Sequence, residues 1–187
     1  PLAPGGHGFR PAKVLLDPCA RAITGWSIYQ REAATGASPN THCCLKGLVC
    51  ERDRFDFDAH PRPRHSWQQT VIYELHIGGF TQRSDSGVAP DRQGSLLGVI
   101  DKIPYLKQLG VTTIELLPVQ AFDPQDAPPG RDNIWGYSPL SWFAPHQGYV
   151  GGGDPMKARD QMRDLVAACH DAGLEVLLDV VYNHTTE

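Results

Sequence analysis

The sequence predicts an α/β protein built on a parallel sheet, and three observations carry that reading. From Val71 onward strand and helix signals alternate. The strand runs VIYELHIGGF, VTTIELLPV and LEVLLDVV are rich in β-branched residues and leucine, the pattern of strands covered on both faces. Polar residues gather at the C-terminal end of the last run, where Asp179, Asn183 and His184 follow an apolar strand. Alternation of this kind means βαβ units, whose ligands bind outside the C-terminal ends of the strands.

The elements follow in order. Residues 1–66 are broken up by Pro, Gly and charge (SPNTHCC, ERDRFDFD, HPRPRHSW) and read as a leader of loops with a hairpin. VIYELHIGGF is the first strand run. Ser95 to Gly110 is a helix: Ser95 caps it, Leu96, Val99, Ile100 and Ile103 share one face, and Pro104, with no N–H to donate, interrupts it before Leu106 and Leu109. VTTIELLPV is the second strand. A further helix starts where Asp154 offers a side-chain acceptor and Pro155 a pre-set φ, and it stops at Gly173. Its Met162, Leu165, Val166 and Cys169 form a stripe expected to lie on the sheet. LEVLLDVV closes the order as the third strand.

Composition narrows the function classes. At 187 residues, 41% hydrophobic and 20% charged, the chain has ordinary globular composition. The net charge of −4 supplies no source for the counterion release that drives nucleic-acid binding, so no nucleic-acid partner is expected. No stretch approaches the roughly 18 apolar residues of a membrane helix, and no membrane partner is expected. The start, PLAPGGHGFRPAK, lacks both a secretory-signal pattern and an initiator Met, and it reads as part of a longer chain. Five cysteines without a framework favour free thiols and a reducing, cytoplasmic setting. Cys43, Cys44 and Cys50 lie near His42, but adjacent cysteines make a poor soft-metal pair and no second pair exists; solvent-accessible loop thiols are the expectation.

Residues 120–154 form a long, irregular segment containing Trp135, Tyr137, Trp142, Phe143 and Tyr149. Loops of this length are functional or disordered, and five aromatics argue against disorder. Rings beside Asn, Asp and His suit a carbohydrate, the ring covering the C–H face while polar neighbours take the hydroxyls. Most of these rings are expected to pack the loop onto its support, with one or two reaching a ligand.

VIYELHIGGFT, GVTTIELLPV, the N-x-W-G-Y-S-P segment and DVVYNHT stand in an order and spacing that resemble the first part of the catalytic barrel of the α-amylase superfamily, glycoside hydrolase family 13. Within it they are most similar to glycogen debranching and isoamylase-type enzymes, and GFRPAKVLLDPCARAITG is similar to the stretch that joins a starch-binding β-sandwich to the barrel there. The resemblance implies a partial TIM (β/α)8 barrel, its first three strands and two helices occupying residues 67–187, preceded by a leader over 1–66 that follows an N-terminal starch-binding β-sandwich. It implies a retaining hydrolase of α-1,6-glucosidic bonds with an Asp nucleophile, a Glu acid/base and a further Asp, all on strands beyond residue 187, so that this stretch alone is catalytically incomplete. Tyr137, with Trp135 beside it, would stack on the sugar, Asp179 would hold an arginine from a later strand, and His184 would bind sugar hydroxyls. Asn183 resembles the position that binds a structural calcium in many amylases, although the debranching branch often lacks that ion, and no cofactor is expected. Ile134 departs from the Tyr common at its position.

The residues by themselves do not choose the bond cleaved. Asp179, Glu115, Asp132 and Glu187 are the available carboxylates, and no spacing singles out a pair about 5 Å apart as retaining chemistry needs. Alternatives therefore stand beside the debranching hydrolase: another α-amylase-type hydrolase or glucosyltransferase, or a non-catalytic α-glucan-binding piece. A nucleotide-binding domain fits less well, because Gly151, Gly152 and Gly153 lack the G-x-G-x-x-G spacing. The apolar third strand is expected to leave an unpaired edge and make the isolated stretch marginal or sticky.

Overall fold

The computed structural model describes residues 10–50 and 55–185. In chain order the strands are β1 (Ile23–Thr24), β2 (Lys46–Gly47), β3 (Ile72–Leu75), β4 (Thr113–Leu116), β5 (Gln120–Phe122), β6 (Pro139–Pro145) and β7 (Glu175–Leu178). The α-helices are α1 (Arg31–Thr35), α2 (Ile77–Thr81), α3 (Leu96–Asp101), α4 (Ile103–Gln108) and α5 (Ala158–Asp171).

β3, β4 and β7 form a parallel sheet with β4 in the middle, in the register Ile72 to Thr113 to Glu175. The sheet is open, as expected of an arc of a barrel. Side chains alternate across a strand, so Tyr73, Leu75, Ile114, Leu116 and Val176 share one face and Ile72, Glu74, Thr113, Glu115 and Leu177 the other. The first set meets Leu96, Val99, Ile103, Leu106, Leu165 and Cys169 from the helices and makes the main core. The second set faces away from the helices.

Several expectations change in detail. The run VIYELHIGGF is a strand only to Leu75; His76 Nδ1 accepts from Gly79 N–H at 2.9 Å, and the chain turns into α2. The predicted helix from Ser95 is capped as expected, with Ser95 Oγ accepting from Gly98 N–H at 3.2 Å, but it is two helices parted at Lys102. Pro104 cannot donate to Ile100 one turn back, so the first helix ends before it and Pro104 sits in the first turn of the second. Asp154 caps a 3-10 turn, accepting from Met156 N–H at 3.0 Å, and α5 begins only after it. Gly173 ends α5 at φ +74°, as expected. Of the predicted stripe, Leu165, Cys169 and Met162 join the core, whereas Val166 lines a hollow against the leader.

The segment read as irregular contains the antiparallel pair β5 and β6, whose register shifts twice over three partners. Those shifts hide the alternation that would have marked a strand. This ribbon joins the leader to the sheet: Ala121, Leu140 and Ala144 pack with Ala20, Ile23, Leu45 and Trp26 in a second core, and β1 pairs with β2 beneath it. Cys43 and Cys44 lie close by and are buried, which corrects the expectation of solvent-accessible thiols; the leader has an interior of its own. Cys50 is half-buried, and among the described residues no group of three His, Cys, Asp or Glu side chains is arranged to hold a metal ion. Also among them, no helix is long and apolar enough to cross a membrane.

Candidate glucan-binding site

The C-terminal ends of β3, β4 and β7 point to one side, and the loop before β6 folds over that end. Asn133 builds the loop. Its Oδ1 accepts from the N–H groups of Trp135 and Gly136 at 3.2 and 3.3 Å, and its own N–H donates to Pro124 O at 2.9 Å. Gly136 adopts φ +76°, and a Cβ there would lie 2.8 Å from the Phe122 ring, so only glycine fits between Trp135 and Tyr137.

His76, which sequence reasoning passed over, holds the same loop from beneath. Because its Nδ1 accepts from Gly79 N–H, its Nε2 carries the proton and donates to Ile134 O at 2.7 Å, with the Tyr149 hydroxyl 3.1 Å from that nitrogen. Trp135 stands edge-on to the His76 ring at 5.8 Å. The available signal was positional: His76 is the first polar residue past the end of the first strand.

Tyr137 Oη donates to Asp179 Oδ2 at 2.7 Å, joining the loop to the end of β7. Asp179 N–H in turn donates to Leu116 O at 2.9 Å, carrying the sheet pairing one residue past β7. The Tyr137 phenol is pushed up to about 12, first by its hydrogen bond to Asp179, then by desolvation and by the charges of Asp179, Glu74 and Glu115. It stays a protonated donor at neutral pH. Glu74 and Glu115 are register partners on the face away from the helices, and their charges add to that of Asp179 in raising the phenol.

Tyr137 and Trp135 keep 43% and 55% of their surface exposed, enough for a ring face to meet a ligand. Tyr149 is buried and packs the loop down, and Trp142 donates its indole N–H to Val181 O at 3.0 Å, tying β6 to the chain after β7. Phe143 is exposed as well, so three of the five rings stand open to solvent where most were expected to pack. The structure thus joins Tyr137 to Asp179, with Trp135 on the same loop against His76. His184 is exposed and, among the described residues, bonds to none of them; Asn183 and Asp132 are also exposed, and Glu187 lies outside the described residues. A hollow of about 970 Å³ lies elsewhere, between leader residues 57–65 and α5 at the opposite end of the sheet. It is lined by Phe57, Asp58, His60, Arg62 and Glu175 and lies away from the C-terminal ends of the strands.

Residues 72–187 match the family described as alpha amylase, catalytic domain. Among solved structures, the chain is similar to pullulanase SAP of Group B Streptococcus in complex with maltotetraose, with 28% identity, TM-score 0.70, and coverage of 91% of this chain and 23% of that one. It is similar to pullulanase type I of Bacillus subtilis complexed with maltose, with 29% identity, TM-score 0.69, and 92% and 23% coverage. A putative alpha amylase of Salmonella typhimurium matches at 29% identity and TM-score 0.61, over 93% and 23% of the two chains. The chain therefore spans 23% of the length of these enzymes. It belongs to the α-amylase catalytic-domain family, within glycoside hydrolase family 13 and near its debranching enzymes.

Proposed function

We propose that residues 67–187 are the opening arc of a (β/α)8 barrel in an enzyme that hydrolyses α-1,6 branch linkages of glycogen or starch with retention, and that residues 1–66 are its leader. The observation that carries this reading is the Tyr137 to Asp179 hydrogen bond at 2.7 Å, which joins a sugar-sized aromatic face to a carboxylate at the strand ends. Pullulanases similar to this chain are complexed with maltotetraose and maltose.

In this reading Trp135 and Tyr137 receive a glucose ring, and Asp179 fixes the Tyr137 hydroxyl. The same carboxylate keeps an oxygen for a cation from a later strand, which the negative surroundings of Glu74 and Glu115 favour. His184 is proposed to complete the hydroxyl contacts when sugar is bound. The nucleophile and the acid/base are assigned to strands outside this stretch, and the described carboxylates serve binding.

Calorimetric titration with maltotetraose tests the reading. Tyr137→Ala is expected to weaken binding about tenfold or more by removing a stacking face and a hydrogen bond, while the unfolding midpoint moves little. Equal affinity of the variant and the parent, or no heat with a folded parent, overturns it.

A further inference from the structure

The carboxylate of Asp123 is fully buried just after β5, ninety-odd residues from the leader hydroxyl and guanidinium that hold it. Tyr29 Oη donates to Asp123 Oδ2 at 2.7 Å and Arg31 Nη1 to the same oxygen at 2.8 Å, both from the leader. The other oxygen accepts from Gln125 N–H at 2.8 Å. Arg31 also reaches Asp126 at 2.9 Å, and Gln125 closes the seam by accepting from Arg31 N–H and donating to Tyr29 O, each at 2.9 Å. A buried charge fixed on both oxygens leaves its backbone little freedom.

That backbone is the base of the sugar-facing loop. Asp123 O accepts from Asn133 Nδ2 at 3.3 Å, and Asn133 shapes the turn that carries Trp135 and Gly136. On the far side of the loop, Ser138 Oγ donates to Asp126 Oδ2 at 3.0 Å. One end of the stretch holding Tyr137 therefore rests on the main-chain carbonyl of Asp123 and the other on the Asp126 carboxylate, and both of these residues are tied to Arg31 through their side chains.

We propose that Asp123 is a positioning residue for the glucan site, and that the leader, through Tyr29 and Arg31, sets the loop 133–138 in the shape that offers Trp135 and Tyr137 to a sugar. The functional half of this inference rests on the glucan reading above. The leader is then part of the binding apparatus, and its effect on affinity runs through Asp123 without contact with sugar.

The experiment uses the whole chain and two measurements at a temperature where every variant is folded. Amide hydrogen exchange over residues 131–138 reports loop order directly, with α3 as internal control; maltotetraose titration reports function. Arg31→Ala is expected to raise exchange in the loop and weaken maltotetraose binding about tenfold, the scale of losing charge-assisted hydrogen bonds, with α3 unchanged. Arg31→Lys is expected to fall between, since an ammonium cannot span both carboxylates as a guanidinium does. Tyr29→Phe, which deletes one hydroxyl, keeps the test open if Arg31→Ala fails to fold, and is expected to change both readouts in the same direction by a smaller factor. Unchanged exchange in the loop overturns the positioning role. Faster exchange with undiminished affinity overturns its link to binding, and a folded parent that binds no maltotetraose removes the glucan reading while leaving the exchange result to decide the positioning role alone.

Discussion

The two faces of the parallel sheet differ sharply although the same three strands supply both. On the helix side Ile114 and Leu116 are 0% exposed and Leu75 is 4% exposed, closed in by α3, α4 and α5. On the opposite side Ile72 is 46% exposed and Glu74 stands in solvent beside Glu115. At the N-terminal end of that second face, Arg62 and His65 of the leader and Trp67 enclose a hollow of about 220 Å³ with Ile72, Thr113 and Glu175. The difference teaches that the apolar packing that stabilises the sheet is confined to one face, while the proposed binding residues lie on the other. The helix face is packed apolar matter, and the other grades from a covered floor to a rim of carboxylates where Tyr137 sits. Even the helix side is unfinished at its edge, since Leu178 on β7 is 44% exposed.

The sharpest test of the comparison is a truncation on the packed face. Leu116→Ala removes a fully buried side chain from the middle strand and is expected to cost about 2–5 kcal/mol, measured as a shift of the urea midpoint. That is a large share of the stability of any small domain. A loss below about 1 kcal/mol would mean that this face is not the core that holds the chain together.

Acid probes the seam between the two cores. His146 is buried, with its ring 3.9 Å from that of Phe122 and 5.4 Å from that of Trp26, and its Nδ1 has no hydrogen-bond partner among the described residues. Burial lowers its pKa from 6.5 to about 4. Above pH 6.5 the imidazole is neutral in folded and unfolded chains alike and contributes no pH dependence. As pH falls toward 4 the unfolded chain takes up a proton that the folded chain refuses, so stability declines across that window and the decline levels off below it. The loss from this one group is on the order of 3 kcal/mol. His146→Phe is expected to abolish that portion, seen as a smaller gap between urea midpoints at pH 7 and pH 4.5. Parallel pH profiles for parent and variant would show that His146 does not carry it.

How much of this was legible in the sequence divides along the same line as the faces. The helix-side core follows from local periodicity: Leu96, Val99 and Ile103 recur at helical spacing, and all three are buried as read. The Ser95 cap and the Gly173 stop were legible because each is a backbone requirement met by one residue type. Trp135, Tyr137 and Asp179 were reached through their motifs, and the structure joins Tyr137 to Asp179 with Trp135 on the same loop. What stayed hidden depends on distant partners. No pattern along the chain announces that Tyr29 and Arg31 hold Asp123, that His76 supports Ile134, or that Cys43 and Cys44 are buried beside a ribbon formed some eighty residues later. The β5 and β6 strands escaped because their irregular register breaks the two-residue alternation by which strands are read.

The smallest expected effect bears most directly on what the open face is for. Ile72 projects from β3 on the side away from the helices and is 46% exposed, so Ile72→Ala in this chain removes little buried surface and is expected to shift the unfolding free energy by less than about 1 kcal/mol. If the sheet is an arc of a closed barrel, as proposed, the same position lies in a layer of inward side chains when the remaining strands are present. There the same substitution is expected to cost about 2 kcal/mol or more. Urea unfolding of the pair in both lengths of protein measures the difference. An equally small effect in the longer protein would mean that Ile72 faces solvent there too, and the face would then be an outer surface and not a barrel interior.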